Sequence, residues 1–149
     1  MANSLCTIEN NVLIHSDTLA IKLIDLCACR EITPSEVSPS EYAGTLVYAS
    51  PEVRTRNFFN PESQDVYALG VLLLFLLFQG RFPSSVNLDK EFLESSALPK
   101  AIKESKLEVY SATVKMLQGI LSKRVEKRPG IGELVDTVQS RLDAMAGDS

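Results

Sequence analysis

The stretch DVYALGV, residues 65–71, and the run LLLFLLF that continues it to Phe78 decide the fold of this chain. The apolar part covers about ten residues, whereas a helix that crosses a membrane needs about 20. A helix that is apolar on every side must also be covered on every side. We therefore predict that a long buried helix follows Asp65, ends near Gly80 and forms the centre of the protein.

On the N-terminal side of this helix, the sequence predicts a small β-hairpin and then a long irregular segment. The apolar run Val12-Leu13-Ile14 and the β-branched residues 20–25 flank a turn-like stretch at residues 15–18, which is typical of a hairpin with a four-residue loop. Residues 30–47 contain turn-forming residues without a periodic pattern. Ser50-Pro51-Glu52 then indicates the start of a helix, because proline is favoured in a first helical turn.

On the C-terminal side, the sequence predicts further helices. One is expected around residues 88–95 and another over residues 110–122, where Val114, Leu117, Ile120 and Leu121 fall on one face. In the last helix, the apolar residues with helical spacing are Ile131, Leu134, Val135, Val138, Leu142 and Met145. We predict one domain over residues 1–145 and a short tail at residues 146–149.

Composition excludes several classes of protein. The chain has 149 residues and a formal charge of −4, and no stripe of lysine and arginine suggests a nucleic-acid surface. Its cysteines, Cys6, Cys27 and Cys29, are odd in number and poorly spaced for disulfides, and a single histidine makes a zinc site improbable. Reduced thiols and the lack of a signal-peptide pattern lead us to expect a cytoplasmic protein that binds neither nucleic acid nor membrane.

Five short motifs follow one another in a characteristic order. They are Asn11-Val12-Leu13-Ile14, Asp25-Leu26-Cys27, Gly44-Thr45-Leu46-Val47-Tyr48-Ala49-Ser50-Pro51-Glu52, Asp65-Val66-Tyr67-Ala68-Leu69-Gly70-Val71 and Lys127-Arg128-Pro129. In this order they resemble the end of the catalytic loop, the D-F-G motif, the end of the activation segment, the central helix and the late Arg-Pro of Ser/Thr protein kinases. The resemblance implies a mainly α fold: a protein kinase C-lobe with a small β-hairpin and a central buried hydrophobic helix.

The resemblance also implies structural roles for three residues. Glu52 and Arg128 would form a partly buried ion pair that joins the activation segment to the helical core. The alternative is that they are unrelated surface charges. Asp65 would accept backbone N–H bonds from the catalytic loop, and its alternative role is that of an ordinary helix N-cap.

The catalytic positions depart from the family pattern. The catalytic Asp is expected five residues before Asn11, and that position holds Cys6, a thiol that is neutral at pH 7. Asn11 and Asp25 match the positions that hold Mg-nucleotide, although they could equally be retained for structure alone. No G-x-G-x-x-G occurs in the chain. We therefore expect no intact catalytic residue and no cofactor, with Mg-ATP bound only if the chain is a kinase after all.

Two functions remain open at this point. The first is a pseudokinase C-lobe, a regulatory or protein-binding module without phosphotransfer activity. The second is a divergent Ser/Thr protein kinase represented by a truncated chain. Kinases have helices before the catalytic loop that cover the central helix, and this sequence does not contain them. We therefore expect an exposed apolar flank and a protein partner, such as a kinase or a missing N-lobe, or self-association.

Overall fold

The computed structural model describes residues 5–8, 11–26, 45–55, 60–79, 97–107 and 109–147. They belong to two compact units, Met1–Thr33 and Pro34–Ser149, and each is described by itself. The first unit is a three-stranded antiparallel sheet in the order β1-β2-β3. Its strands are β1 (Leu5–Ile8), β2 (Val12–His15) and β3 (Ile21–Leu23).

The pairing of β2 with β3 confirms the predicted hairpin. Val12 lies opposite Leu23 in the antiparallel register. In the connecting turn, His15 Nδ1 accepts hydrogen bonds from the backbone N–H groups of Asp17 and Thr18, both at 3.3 Å. Leu19 completes the turn with a positive φ of 55°. Strand β1 was not predicted, because the residues around it show no alternating pattern.

The second unit is helical, which confirms the predicted mainly α fold class. Short 3₁₀ turns occur at Leu46–Tyr48 and Val125–Lys127. The helices are α1 (Pro51–Arg54), α2 (Pro61–Leu77), α3 (Ala97–Glu104), α4 (Ser111–Ile120) and α5 (Ile131–Gly147). The helices expected near residue 51 and over residues 110–122 are confirmed as α1 and α4, whereas α3 was not predicted. The helix expected around residues 88–95 lies outside the described residues.

The central helix α2 begins and ends earlier than the sequence suggested. Asn60 is its N-cap, since the Asn60 side chain accepts a hydrogen bond from Ser63 N at 3.0 Å, and Pro61 occupies the first turn. Asp65 is therefore not an N-cap, and that alternative was wrong. At the other end, Gln79 adopts a φ of 52° immediately after the capping residue Phe78. Gln79 thus takes the left-handed position that commonly ends a helix, one residue before the predicted end at Gly80, which is not among the described residues.

The core of this unit forms where α2 packs against α4. Gly70 of α2 lies so close to Ile120 and Leu121 that a Cβ at this position would collide with both side chains. The buried residues of the cluster are Val66, Tyr67, Val71, Leu74, Phe78, Leu98, Ala101, Ile102, Leu117, Ile120, Leu121 and Leu134. The core therefore joins one face of α2 to α3, α4 and the beginning of α5.

Two helices are less covered than predicted. Leu69 and Leu76 of α2 are exposed, so this helix is not covered on every side and instead has the exposed apolar flank that the missing kinase helices led us to expect. On α5, Leu134 is buried, whereas the other apolar residues of the predicted face whose side chains are described are exposed. None of the helices in the described part of the chain combines the length and the apolar character that a membrane crossing requires.

Candidate functional site

The candidate site is the loop that leads into α1, the end of the activation-segment-like stretch. It ends in α1, where Pro51 occupies the first turn and Glu52 lies near the positive end of the helix dipole. The Glu52 carboxylate meets the Arg128 guanidinium in a two-pronged contact, with Nη1–Oε1 at 2.6 Å and Nη2–Oε2 at 2.7 Å. Both side chains are almost completely buried. The structure thus brings together the two charges that the motifs had paired.

Arg128 also makes hydrogen bonds outside the ion pair. Nε donates to the carbonyl oxygen of Ser122 at 2.8 Å, and Nη1 donates to Ser63 Oγ at 3.1 Å. The guanidinium carbon lies 5.0 Å from the centre of the Tyr67 ring, a distance suited to a cation–π contact. Arg128 therefore connects α1, α2 and the segment after α4 through one side chain.

The ionisation of Glu52 reflects this environment. Burial by itself would raise the pKa of the Glu52 carboxyl, because it removes water from the charged form. The hydrogen bonds from Arg128 favour the charged form, and the net result is a pKa below the usual glutamate value. The carboxylate consequently stays ionised inside the protein at neutral pH, as an ion pair rather than as a proton donor.

Two further side chains hold the loop, and sequence reasoning missed both roles. Gln64 is buried, its Oε1 accepts from Ser50 N at 2.8 Å, and its Nε2 donates to the carbonyl oxygen of Tyr48 at 2.9 Å. Arg54 Nε donates to the carbonyl oxygen of Ala49 at 2.8 Å. A polar residue at the start of an apolar helix normally indicates a helix cap. Nothing in the sequence therefore indicated that Gln64 binds the backbone of the loop before α1.

The tip of the loop contrasts with its fixed base. Leu46 is 71% exposed and Val47 is 45% exposed, whereas Ala49 and Ser50 are completely buried. The anchored residues Tyr48, Ala49 and Ser50 therefore directly follow two apolar side chains that are exposed to solvent.

Asp65 occupies an exposed position on α2, on the same side of the helix as Leu69 and Leu76. Nearby protein removes part of the hydration of its carboxylate, and this partial desolvation raises the pKa of Asp65 above its usual value. The expected partners of Asp65 belong to the catalytic-loop stretch in the other unit, so this bond stays a prediction.

The catalytic-loop positions lie in the sheet of the first unit. Cys6 is part of β1, opposite Ile14 of β2, where the resemblance had led us to expect a loop. Asn11 accepts a hydrogen bond at its carbonyl oxygen from Ile24 N at 2.9 Å, so Asn11 and Asp25 lie at the same end of the hairpin. Asp25 has a φ of 58°, a conformation that non-glycine residues seldom adopt outside turns and functional sites.

The donors at this end of the hairpin fit a Mg²⁺ site only in part. Asn11 and Asp25 supply an amide and a carboxylate, which are ligands that Mg²⁺ accepts, but the ion normally also needs phosphate oxygens and water. Within the described ranges, no group of three or more His, Cys, Asp or Glu side chains could hold a metal ion. The metal role of Asn11 and Asp25 therefore stays a prediction.

Comparisons with known proteins agree with the geometry. Residues 9–138 match the family model described as protein kinase domain. The chain is 31% identical over 131 residues to serine/threonine-protein kinase PSK2 of Saccharomyces cerevisiae. The aligned residues cover 86% of this chain and 11% of that protein. It is 30% identical over 128 residues to serine/threonine-protein kinase PSK1 of the same yeast. The aligned residues cover 85% of this chain and 9% of that protein. The chain thus spans about a tenth of the length of these two relatives.

Proposed function

This chain belongs to the protein kinase family, and from that premise we propose that it is a C-lobe that binds or regulates other proteins without transferring phosphate. Its working surface is the clamped loop that contains Leu46 and Val47. The exposed flank of α2 offers a second apolar area in the same unit. The partner is another protein, such as a kinase or a nucleotide-binding lobe.

One contrast carries this proposal: the anchors of the loop are complete, whereas the catalytic position is not. Glu52 and Arg128 form a buried bidentate ion pair, and Gln64 bonds to the loop backbone on both sides of Ala49. The position of the catalytic Asp holds Cys6, whose thiol offers no carboxylate to accept a proton from a substrate hydroxyl. The side chains that anchor the loop are present, and a carboxylate at the expected position of the proton acceptor is not.

Phosphotransfer by the longest natural polypeptide that contains this chain tests the proposal. The wild-type protein, Cys6→Asp and Asp25→Ala are incubated with Mg-ATP and general Ser/Thr kinase substrates. We expect no transfer by the wild type. Phosphorylation by the wild type that disappears in Asp25→Ala would overturn the proposal, since it would require a working metal site.

The binding role has its own test. Leu46→Lys and Val47→Lys remove the apolar tip of the loop but leave its buried anchors unchanged. We expect both variants to lose a partner that the wild type retains, while their melting temperatures stay the same. Leu19→Lys is the matched control, because Leu19 is equally exposed but lies in the turn of the first unit.

A second candidate function is a divergent Ser/Thr kinase, and one observation favours it. Asn11 and Asp25 have been kept at the same end of the hairpin, and in active kinases residues at these positions hold the metal ions of Mg-ATP. The bound metal would neutralise phosphate charge, while Asn11 and Asp25 would position the metal ion. This candidate predicts a Mg-dependent thermal shift with ATP that Asp25→Ala abolishes, whereas the non-catalytic proposal predicts none.

A further inference from the structure

Arg54, the last residue of α1, bonds back to the loop that precedes this helix. Its Nε donates to the carbonyl oxygen of Ala49 at 2.8 Å, and its Nη2 donates to the carbonyl oxygen of Val47 at 3.3 Å. Its backbone N–H donates to the carbonyl oxygen of Ser50 at 3.0 Å. One residue therefore binds three carbonyl groups of the loop between Val47 and Ser50.

The side-chain bonds of Arg54 alternate along the loop with those of Gln64. Gln64 binds the carbonyl oxygen of Tyr48, which lies in the sequence between the two carbonyl groups that the Arg54 side chain binds. Gln64 belongs to α2, which supplies much of the core, whereas Arg54 belongs to the short helix α1. The two side chains therefore bind one stretch of backbone from different helices, and removal of one leaves the other in place.

The bond from Arg54 Nη2 reaches the exposed tip of the loop. Val47, whose carbonyl oxygen accepts this bond, is one of the two exposed apolar residues, and Leu46 is the other. Both belong to the 3₁₀ turn Leu46–Tyr48. Hydrogen bonds in a 3₁₀ turn have poorer geometry than those in an α-helix, so a turn of three residues depends on groups that hold it from outside.

We propose that Arg54 is the positioning residue of the loop tip: its guanidinium fixes the backbone that carries Leu46 and Val47. A guanidinium suits this role because its planar fork presents several donors in fixed directions, whereas the ammonium of lysine is a single rotating group. The importance of the tip as a binding surface rests on the proposed function. The position of the tip, in contrast, can be measured on the chain alone.

Exchange of amide hydrogens with deuterium in the full chain tests this proposal. Arg54→Met keeps the aliphatic part of the side chain and removes its donors. The amides of Tyr48 and Ala49, which close the 3₁₀ turn, should then exchange about tenfold faster than in the wild type, as expected when a hydrogen bond from a charged group is lost. The amide of Leu74, inside α2, should exchange at the wild-type rate.

Two further variants separate the donors of Arg54 from its charge. Arg54→Lys keeps the charge but cannot hold two carbonyl groups with one fork, so it should accelerate the amides of Tyr48 and Ala49 less than Arg54→Met does. Arg124→Met removes an exposed arginine of the same unit and should leave both amides at the wild-type rate.

Unchanged exchange at Tyr48 and Ala49 in Arg54→Met would overturn the proposal. Equal acceleration at Leu74 would overturn it as well, because Arg54 would then support the whole helical unit rather than the tip. The result does not depend on a partner: if Leu46→Lys kept a retained partner, the proposed function would fail, whereas the exchange rates would still decide the role of Arg54.

Discussion

Arg128 is the residue whose loss we expect to cost most, because its buried guanidinium is the counter-charge of Glu52 and also binds Ser63 and Ser122. Replacing it by methionine keeps the aliphatic part of the side chain and leaves the Glu52 carboxylate buried without its partner. We expect Arg128→Met to lower the free energy of unfolding by about 3–5 kcal/mol. Chemical denaturation of the two proteins measures this difference.

The matched variant is Glu52→Leu/Arg128→Met, which removes both charges together. A buried ion pair replaced by apolar side chains is often neutral for stability, so the double variant should be more stable than Arg128→Met alone. If the double variant lost as much stability as the sum of the single changes, the two side chains would not be coupled.

The pH dependence of stability should also depend on Glu52. Its pKa is lowered in the folded state, so the unfolded chain binds a proton more readily than the folded chain. The stabilisation by the pair is therefore fully present above the unfolded value of about 4.3, and is lost as the pH falls through the lower folded pKa. Unfolding curves from neutral to acidic pH should show a smaller acid loss of stability in Glu52→Gln than in the wild type, and an equal loss in the two proteins would contradict this assignment.

Sequence motifs were enough to predict the buried ion pair of Glu52 and Arg128. The other contacts around it became known only from the structure. Glu52 and Arg128 stand in recognisable motifs, although 76 residues separate them. The clamp formed by Gln64 could not be predicted, because it depends on where a loop backbone passes rather than on a residue pattern. The same holds for the Tyr67 ring under Arg128, which the sequence showed only as part of an apolar helix.

At the level of secondary-structure elements, the closest contact is the crossing of α2 over α4 at Gly70. A methyl group there would collide with Ile120 and Leu121, and such overpacking usually costs about 1–3 kcal/mol. This cost should exceed the gain of roughly 1 kcal/mol that comes from the higher helix propensity of alanine compared with glycine. Thermal melting should therefore show that Gly70→Ala is destabilised. Gly119→Ala, whose Cβ would meet Pro129 only at an ordinary 3.9 Å, should be neutral or stabilised.

The clamp on the loop gives a prediction with a local readout. Gln64→Leu would remove the hydrogen bonds that Gln64 makes with Ser50 N and with the carbonyl oxygen of Tyr48, and loss of the bond to the buried Ser50 N should cost about 1–3 kcal/mol. The amide of Ser50 should then exchange with deuterium faster than in the wild type. The amide of Leu74, inside α2, is the internal control, and equal acceleration at both sites would mean global unfolding rather than release of the loop.

Periodicity predicted which face of a helix is apolar, but it could not say whether that face has a partner. The spacing of α5 placed its apolar residues on one face, yet the structure buries Leu134 and leaves Val135 and Leu142 exposed. Burial depends on the neighbouring elements, and these lie far away in the sequence. In contrast, α3 escaped prediction because its short pattern is interrupted by Pro99, which is tolerated near a helix start.

For the molecule as a whole, the division into two units sets the scale of cooperative unfolding. The members of the described hydrophobic core, including the partly buried side chains packed against it, all lie between Tyr48 and Leu134. A core that is contained in one unit is what allows a unit to fold by itself.

We therefore expect residues 34–149, expressed without the first unit, to keep a helical circular dichroism spectrum and a cooperative thermal transition. A peptide of residues 1–33 should not fold alone, because three short strands without a packed face are only marginally stable. If the helical unit lost its cooperative transition, its stability would depend on the sheet, and the Arg128 and Gly70 variants would have to be interpreted in the intact chain only.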